Sequence, residues 1–229
     1  RAEGHSAQAS FGMAMGGILN ILLDPIFIFP LGFEIAGAAI ATMLSNAAVA
    51  GIGVAKKVDM LSYAIATGMS QGVLPLIGYN YSAKNYRRMK AAIRTDFLFS
   101  LAVAVIGTFF LFTCAGPVVR AFIDDAETVR YGQLFQRIIC ITGPCISVTM
   151  LAITSFQSVG KKLEPAILSL LRKGGLDIPF MLLLNALAGV EGIVWATPIA
   201  DFGAMLAAAA LFIPFWKSLS DRMKREEAV

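Results

Sequence analysis

The sequence has little charge. Lys, Arg, Asp and Glu together make up 15% of its 229 residues, hydrophobic residues make up 57%, and the mean hydropathy is +0.72. An ordinary soluble domain carries about 25% charged residues, so this balance excludes that class. The composition predicts an all-α polytopic membrane protein.

Histidine and cysteine are also scarce. The chain has one His and three Cys, and no spacing among them suggests a metal site or a disulfide framework. The His-Glu-x-x-His pair of a metalloprotease, the Gly-x-Gly-Asp motif of an intramembrane aspartyl protease and the P-loop of an ATPase are all missing from the sequence. The chain is therefore not expected to be an enzyme or to bind a cofactor. The net charge of +4 is confined to short clusters, which argues against nucleic-acid binding.

Long apolar runs fill the rest of the chain. Seven segments have the length needed to span a bilayer, which predicts about seven transmembrane helices. They lie at about 9–31, 35–54, 58–79, 96–116, 132–157, 165–187 and 192–216.

The connecting segments alternate in basic content. Segments 80–95 and 158–174 and the C-terminal tail are basic, whereas 117–131 and the turn near 187–191 are not. By the positive-inside rule, the three basic segments and the C-terminus are predicted to be cytoplasmic, in a plasma or cell inner membrane. Counting crossings back from segment 80–95 places Arg1 outside. We therefore expect a helix to be missing between about 40 and 55, unless short pieces there are re-entrant.

One acidic residue, Asp24, lies inside an apolar run. A carboxylate near the centre of a membrane helix costs about 2.5–3.5 kcal/mol, and such a residue usually handles protons or ions. Asn20 shares its helix face, four residues earlier, and Pro25 frees the carbonyl of Ile21. These groups favour a proton or cation site. The alternative is a kinked helix with one interhelical hydrogen bond.

An internal repeat surrounds this aspartate. Asp24 is followed after 18 residues by Thr42, which ends a Gly-Ala-Ala-Ile-Ala-Thr run. Asp177 is followed after 20 residues by Thr197, which ends a Gly-Ile-Val-Trp-Ala-Thr run. Duplicated halves with the substrate path between them are common in secondary transporters. Asp177 is predicted to cap or complement a helix N-terminus.

Several further polar residues lie in apolar segments. Lys56, Lys57 and Asp59 precede segment 58–79, Gln71 lies next to Gly72 within it, and Asp201 follows Pro198 by three residues. Each is a candidate for the wall of a central cavity. For the first three, a cluster paired internally near the membrane interface is the alternative.

Several motifs resemble the multidrug and toxic compound extrusion (MATE) family. Arg1-Ala-Glu-Gly4, Asn20-Ile-Leu-Leu-Asp24-Pro25-Ile-Phe-Ile-Phe29 and Gly37-Ala-Ala-Ile-Ala-Thr42 resemble its fifth and sixth helices. The run from Gln71 to Asn85 resembles the end of its eighth helix and the loop after it. Arg172-Lys-Gly-Gly-Leu-Asp177-Ile-Pro179 and Trp195-Ala-Thr-Pro198-Ile-Ala-Asp201 resemble its last two helices.

The resemblance implies an incomplete two-bundle fold. The family has twelve helices, and the chain resembles it without helices one to four and without most of helices six and seven. Residues 1–46 would form part of the N-terminal bundle, and residues 47–229 the C-terminal bundle from the end of helix seven or the start of helix eight.

The resemblance also implies a function, a cation-coupled antiporter that exports organic cations and other amphipathic small molecules. Asn20, Asp24 and Thr42 match the coupling site, which would hold H⁺ or Na⁺ and need no other metal or cofactor. Two alternatives stay open. One is a lipid-linked saccharide flippase of the same superfamily, for which only Lys56 and Lys57 offer a basic cavity. The other is a truncated membrane remnant that does not transport.

Overall fold

The computed structural model describes residues 46–227. This range is almost wholly helical and contains no β-strand, which confirms the predicted all-α class. Its helices are α1 (Asn46–Ser82), α2 (Tyr86–Thr113), α3 (Ala115–Arg120), α4 (Ala126–Ile139), α5 (Gly143–Ser158), α6 (Leu163–Leu170) and α7 (Ile178–Glu227). A 3₁₀ turn (Cys140–Thr142) joins α4 to α5, and a π-helical segment (Leu171–Asp177) joins α6 to α7.

Four stretches of the described range are long and apolar enough to cross a membrane. They are Ala47–Ser82, Tyr86–Thr113, Ala126–Ser158 and Glu191–Lys224. In Ala126–Ser158, 67% of the most apolar window is buried inside the protein, against 11–22% in the other three. The α4–α5 span is therefore the centre of the bundle, and the others present apolar faces suited to lipid.

Helix α1 is longer than the sequence predicts. Segments 35–54 and 58–79 are predicted to be separate, but the chain is helical without interruption from Asn46 to Ser82, so the predicted break at 55–57 is wrong. The charges of Lys56, Lys57 and Asp59 suggested that break. A charged side chain does not interrupt backbone hydrogen bonds, and Lys56 finds a partner on α7.

Short polar residues start two of the helices. The side chain of Asn85 accepts from the backbone N–H of Arg88 at 3.1 Å at the start of α2. Asp125 accepts from the backbone N–H of Thr128 at 2.8 Å and from its hydroxyl at 2.7 Å at the start of α4. These N-caps satisfy donors that a helix start leaves free, so they set where each helix begins.

The apolar core lies around α5. Residues Ile146 to Phe156 of this helix are almost all buried. One core cluster joins α5 to Ala66 of α1, Leu168 of α6 and Ala208 of α7. A second cluster joins it to α1, α2 and the end of α7, through Ile77, Met89, Ile93 and Leu219. Helix α5 thus fixes the positions of four neighbours, including those that carry the charged residues described below.

Helix α7 consists of two arms that fold back on each other. Gly189 has φ 60° and ψ −135°, a conformation open to glycine and strained for other residues. A Cβ atom placed on Gly192 would overlap the backbone carbonyl of Leu184, eight residues earlier. In a straight helix these residues would be about 12 Å apart. The chain therefore reverses at Gly189, which confirms the turn predicted near 187–191.

Basic segments from three parts of the chain meet at one end of the bundle. A Cβ on Gly78, near the end of α1, would lie 3.1 Å from the carbonyl oxygen of Ser158 at the end of α5. The Nζ of Lys90 donates to the hydroxyl of Ser220 at 2.8 Å and lies 4.5 Å from the centre of the Trp216 ring. The end of α1, the end of α5 and the C-terminal part of α7 therefore share one side.

Candidate functional site: a charged cluster within the helical bundle

The predicted coupling residues Asn20, Asp24 and Thr42 lie outside the described residues. The described range contains a second group of charged side chains inside the bundle. It includes Lys56 and Asp59 of α1 and Asp201 of α7, which the sequence also singles out.

The centre of this group is a buried ion pair between Arg172 and Asp201. The Nε of Arg172 donates to Oδ1 of Asp201 at 2.6 Å, and each side chain has only 3% of its surface exposed. The guanidinium carbon of Arg172 lies 4.9 Å from the ring centre of Tyr63 on α1. A single buried charge would be very unfavourable in this setting, so each partner makes the burial of the other feasible.

Arg172 belongs to the π-helical segment between α6 and α7. Such segments are rare and occur often at functional sites. This one spans Leu171–Asp177 and carries three of the charged residues, Arg172, Lys173 and Asp177. The hydrogen-bond register of this segment differs from that of an α-helix. Arg172, Lys173 and Asp177 therefore lie on different faces from those that a continued α6 would give them.

Two sequence predictions for this segment are wrong. The sequence includes Arg172 and Lys173 in a basic connection at 158–174, although the predicted helix 165–187 also contains them, and it places Asp177 at a helix N-terminus. In the structure α6 begins at Leu163, and the chain stays helical through Asp177 into α7. The basic pair and two glycines lower the local hydropathy and so imitate a loop. Neutralisation of Arg172 by Asp201 allows the helical path to continue into the bundle.

A second polar chain links Lys56, Thr197 and Asp177. The Nζ of Lys56 donates to Oγ1 of Thr197 at 2.5 Å, and that hydroxyl donates to Oδ1 of Asp177 at 3.3 Å. Thr197 is buried, with 3% exposed, whereas Lys56 is exposed and reaches inward from α1. The ammonium is thus held at the Asp–Thr pair of the second repeat.

Asp59 lies one helical turn after Lys56. Its side chain is buried, and it lies within electrostatic range of Lys56, Asp201, Lys173 and Arg172. The cluster comprises Lys56, Arg172 and Lys173 with Asp59, Asp177 and Asp201. The formal charges of these six residues balance.

Two of the predicted cavity residues are not part of this cluster. Lys57 is exposed and forms no ion pair within residues 46–227. Gln71 lies fifteen residues after Lys56, roughly 22 Å along the helix, and its Nε2 donates to Oε1 of Gln157 at 3.4 Å. The structure does not bring Gln71 together with Lys56, Asp59 and Asp201.

A buried carboxylate that the sequence reading missed lies on α2. Asp96 has 5% of its surface exposed, and its Oδ1 accepts from the hydroxyl of Ser100 at 3.0 Å. Its Oδ2 has no hydrogen-bond partner in the described part of the chain. Asp96 stands at the boundary between a basic cluster and an apolar run, so it resembled an interface residue. The four-residue spacing of Asp96 and Ser100 was the available signal.

The described helices have close relatives in fold among solved structures. The bent form of the MATE transporter VcmN of Vibrio cholerae aligns with a TM-score of 0.74 and 20% identity, over 89% of this chain and 44% of that protein. The MATE transporter ClbM in complex with Rb⁺ aligns with a TM-score of 0.72 and 20% identity, over 96% of this chain and 50% of that protein. At these identities the likeness establishes the fold.

Sequence relatives extend over nearly the whole chain. The multidrug export protein MepA of Staphylococcus aureus (strain MSSA476) is 26% identical over 288 residues, covering 97% of this chain and 62% of the relative. MepA of Staphylococcus haemolyticus (strain JCSC1435) is 24% identical and covers all of this chain and 64% of the relative. The chain thus spans less than two thirds of the length of these curated relatives.

The helical bundle and its apolar spans define an integral, multi-pass membrane protein. A family model described as MatE matches residues 26–183, which is more than half of the chain. The chain therefore belongs to the MatE family of multidrug and toxic compound extrusion transporters, and the resemblance found in the sequence is confirmed. Members of this family are membrane transporters rather than enzymes.

Proposed function

We propose that this chain carries the coupling site of a cation-driven antiporter that exports organic cations and other amphipathic small molecules. Membership of the MatE family supports transport, and the relatives named multidrug export protein support this substrate class. Asn20, Asp24 and Thr42 are the proposed coupling residues.

The observation that carries this proposal is the hydrogen bond between Thr197 and Asp177. These residues are 20 apart, lie in the second copy of the repeat, and meet at 3.3 Å. Asp24 and Thr42 are 18 apart in the first copy and share its pattern of flanking residues. The repeat therefore supports the assignment of Asp24 and Thr42 as an equivalent pair, and the four-residue spacing adds Asn20 to it.

The second pair receives a positive charge from outside its own repeat, the ammonium of Lys56 on α1. The first pair is proposed to have no such partner, since the sequence has no Lys or Arg between residues 2 and 55. A buried carboxylate without such a partner is neutralised by a proton or by a hard cation such as Na⁺, which takes oxygen ligands. Either choice makes the first pair an exchangeable site.

Exchange at this site would drive alternating access. An ion that binds one conformation more tightly than another shifts the population between them by its difference in binding free energy. Loss of the ion from Asp24 would then favour the conformation that binds drug. Binding of a new ion, driven by its gradient across the membrane, would return the transporter to the other conformation.

The sidedness of the bundle supports a cytoplasmic C-terminus. The basic residues after α1, those after α5 and those near the end of α7 lie at one end of the described helices. Basic residues concentrate on the cytoplasmic side of plasma-membrane proteins. We therefore assign this end to the cytoplasm.

Replacement of Asp24 by Asn tests the proposed coupling role. The variant keeps the size of the side chain and cannot exchange a charge, so drug efflux from cells that make it should fall to the level of cells without the transporter. Asp124→Asn is the matched control, because Asp124 is exposed in the connection before α4. Unchanged efflux by Asp24→Asn, at equal membrane abundance, would remove Asp24 from the mechanism.

A second candidate is a membrane remnant that does not transport. The alignment with MepA extends over 288 residues although this chain has 229, so the relative carries internal sequence with no counterpart here. Intact mass measured on the protein from its native host separates the two functions. A mass near 24.4 kDa would favour the remnant. A mass near twice that value would favour the antiporter.

A further inference from the structure

The ammonium of Lys56 lies against the Asp–Thr pair of the second repeat. Its Nζ lies 2.5 Å from Oγ1 of Thr197, which in turn lies 3.3 Å from Oδ1 of Asp177. Ammonium groups and alkali cations both bind to carboxylate and hydroxyl oxygens. The oxygens of this pair therefore offer the same chemistry that the first repeat is proposed to use.

Lys56 supplies one of the three positive charges of the six-residue cluster. Asp59 lies three residues after Lys56, and the Arg172–Asp201 ion pair lies nearby. The six charged residues of the cluster balance, so removal of one ammonium leaves one uncompensated negative charge. Such a charge inside a membrane protein is strongly unfavourable until a cation or a proton neutralises it.

Lys56 links the pair to the surface of the described helices. This residue is exposed, and its ammonium reaches the buried Thr197. Replacing the ammonium by an apolar group would therefore free the Thr197 hydroxyl and the Asp177 carboxylate for another cation. The repeated sequence supplies the comparison, since Asp24 and Thr42 have the same flanking pattern and the proposed function assigns them no basic partner.

We propose that Asp177 and Thr197 form a second monovalent-cation site, which Lys56 fills with its own ammonium. This inference rests on the proposed function, because it takes the Asp24–Thr42 pair as the exchangeable counterpart. Lys56 then determines how many ions are exchanged in each transport cycle. With Lys56 in place, only the first repeat exchanges an ion, so each cycle exchanges the ion of one site.

Sodium binding to the purified chain in detergent tests this site. Radioactive sodium bound at equilibrium is counted per chain for wild type, Lys56→Met and Lys57→Met. We expect Lys56→Met to bind one sodium ion more than wild type, and Lys57→Met to bind the same number as wild type. Lys57 is the matched control, since it neighbours Lys56 and is exposed without an ion pair in the described residues.

Three further variants test this inference apart from the proposed role of Asp24. Lys56→Met combined with Asp24→Asn should still bind the additional ion, because the second site does not depend on the first. Lys56→Met combined with Asp177→Asn should lose it, and Lys56→Arg should not gain it because the cation is restored. Equal sodium binding by Lys56→Met and wild type, in protein that stays monodisperse, would overturn the inference. Persistence of the additional ion after Asp177→Asn would also overturn it.

Discussion

Arg172 and Asp201 are 29 residues apart in the sequence and form an ion pair of 2.6 Å in which each side chain is 97% buried. The pair joins the π-helical segment to the second arm of α7, and the Arg172 guanidinium also lies over the ring of Tyr63 on α1. It therefore ties the second arm of α7 to the segment before the first arm and brings both next to α1.

Breaking this pair on one side should destabilise the protein strongly. Arg172→Met leaves Asp201 buried without a cation, and we expect the free energy of unfolding to fall by about 3–5 kcal/mol. Arg172→Met combined with Asp201→Leu should recover most of that loss, because no charge stays buried. Denaturant unfolding in detergent measures both. Arg120→Met, at an exposed position, serves as the control. If the double variant is no more stable than Arg172→Met, the loss of stability does not come from an unpaired buried charge on Asp201.

The close contact of the α7 arms gives a second prediction. Gly192→Ala would place a methyl group against the carbonyl of Leu184, so the arms must separate at a cost of about 1–3 kcal/mol. Gly107→Ala in α2 meets no atom within 4 Å and should stabilise the helix by about 0.5–1 kcal/mol. Thermal unfolding of the two variants should therefore shift in opposite directions. A shift of the same sign and size in both would mean that the arms do not pack at Gly192.

Two buried serines give a matched pair. Ser100 donates to Asp96, so Ser100→Ala leaves a buried carboxyl oxygen without its partner and should cost about 1–3 kcal/mol. Ser70 is fully buried, and its hydroxyl has no partner within residues 46–227. Ser70→Ala should therefore be neutral or stabilising, since it removes an unsatisfied polar group. Equal losses of stability in the two variants would contradict the assigned hydrogen bond.

The start of α4 gives a prediction on pH. The hydroxyl of Thr128 and its backbone N–H both donate to Asp125 and lower the pKa of that carboxyl below its usual value. A lowered pKa in the folded state means that the ionised carboxylate stabilises the fold above the pKa of the unfolded chain. That contribution is lost as pH falls through the folded-state pKa.

Asp125→Ala should therefore lower the melting temperature at neutral pH, and the difference from wild type should shrink as the solution becomes acidic enough to protonate Asp125. The neighbouring Asp124→Ala gives the background for loss of an exposed charge. Melting temperatures across the acidic range provide the comparison. A difference between wild type and Asp125→Ala that does not change with pH would show that the ionised cap contributes nothing.

Much of the fold was predictable from local patterns. The apolar runs at 58–79, 96–116, 132–157 and 192–216 predicted the four candidate spans of the described residues, whereas 165–187 is not among them, and Gly189 lies within the predicted turn at 187–191. These features depend on residues close together in the sequence. The family was also recognisable, because its motifs occur in order along the chain.

The charged cluster was only partly predictable. Asp201 was identifiable as an acid inside an apolar helix, but its partner Arg172 resembled a loop residue beside two glycines. The burial of Arg172 depends on a contact 29 residues away. Lys56 was misjudged for the same reason: its charge predicted a helix break, but its ammonium is bound by Thr197 on another helix. The position of such a charged residue depends on partners far away in the sequence, which hydrophobic periodicity does not reveal.

Coupled flux in proteoliposomes tests the central claim most directly. The transporter purified from its native host is reconstituted, a gradient of an organic cation is imposed, and the movement of H⁺ and of Na⁺ is followed with separate indicators. We predict that drug movement in one direction drives one of these ions in the other, and that Asp24→Asn abolishes the ion movement while Asp124→Asn preserves it. Drug movement by the wild-type protein without movement of either ion would contradict the account.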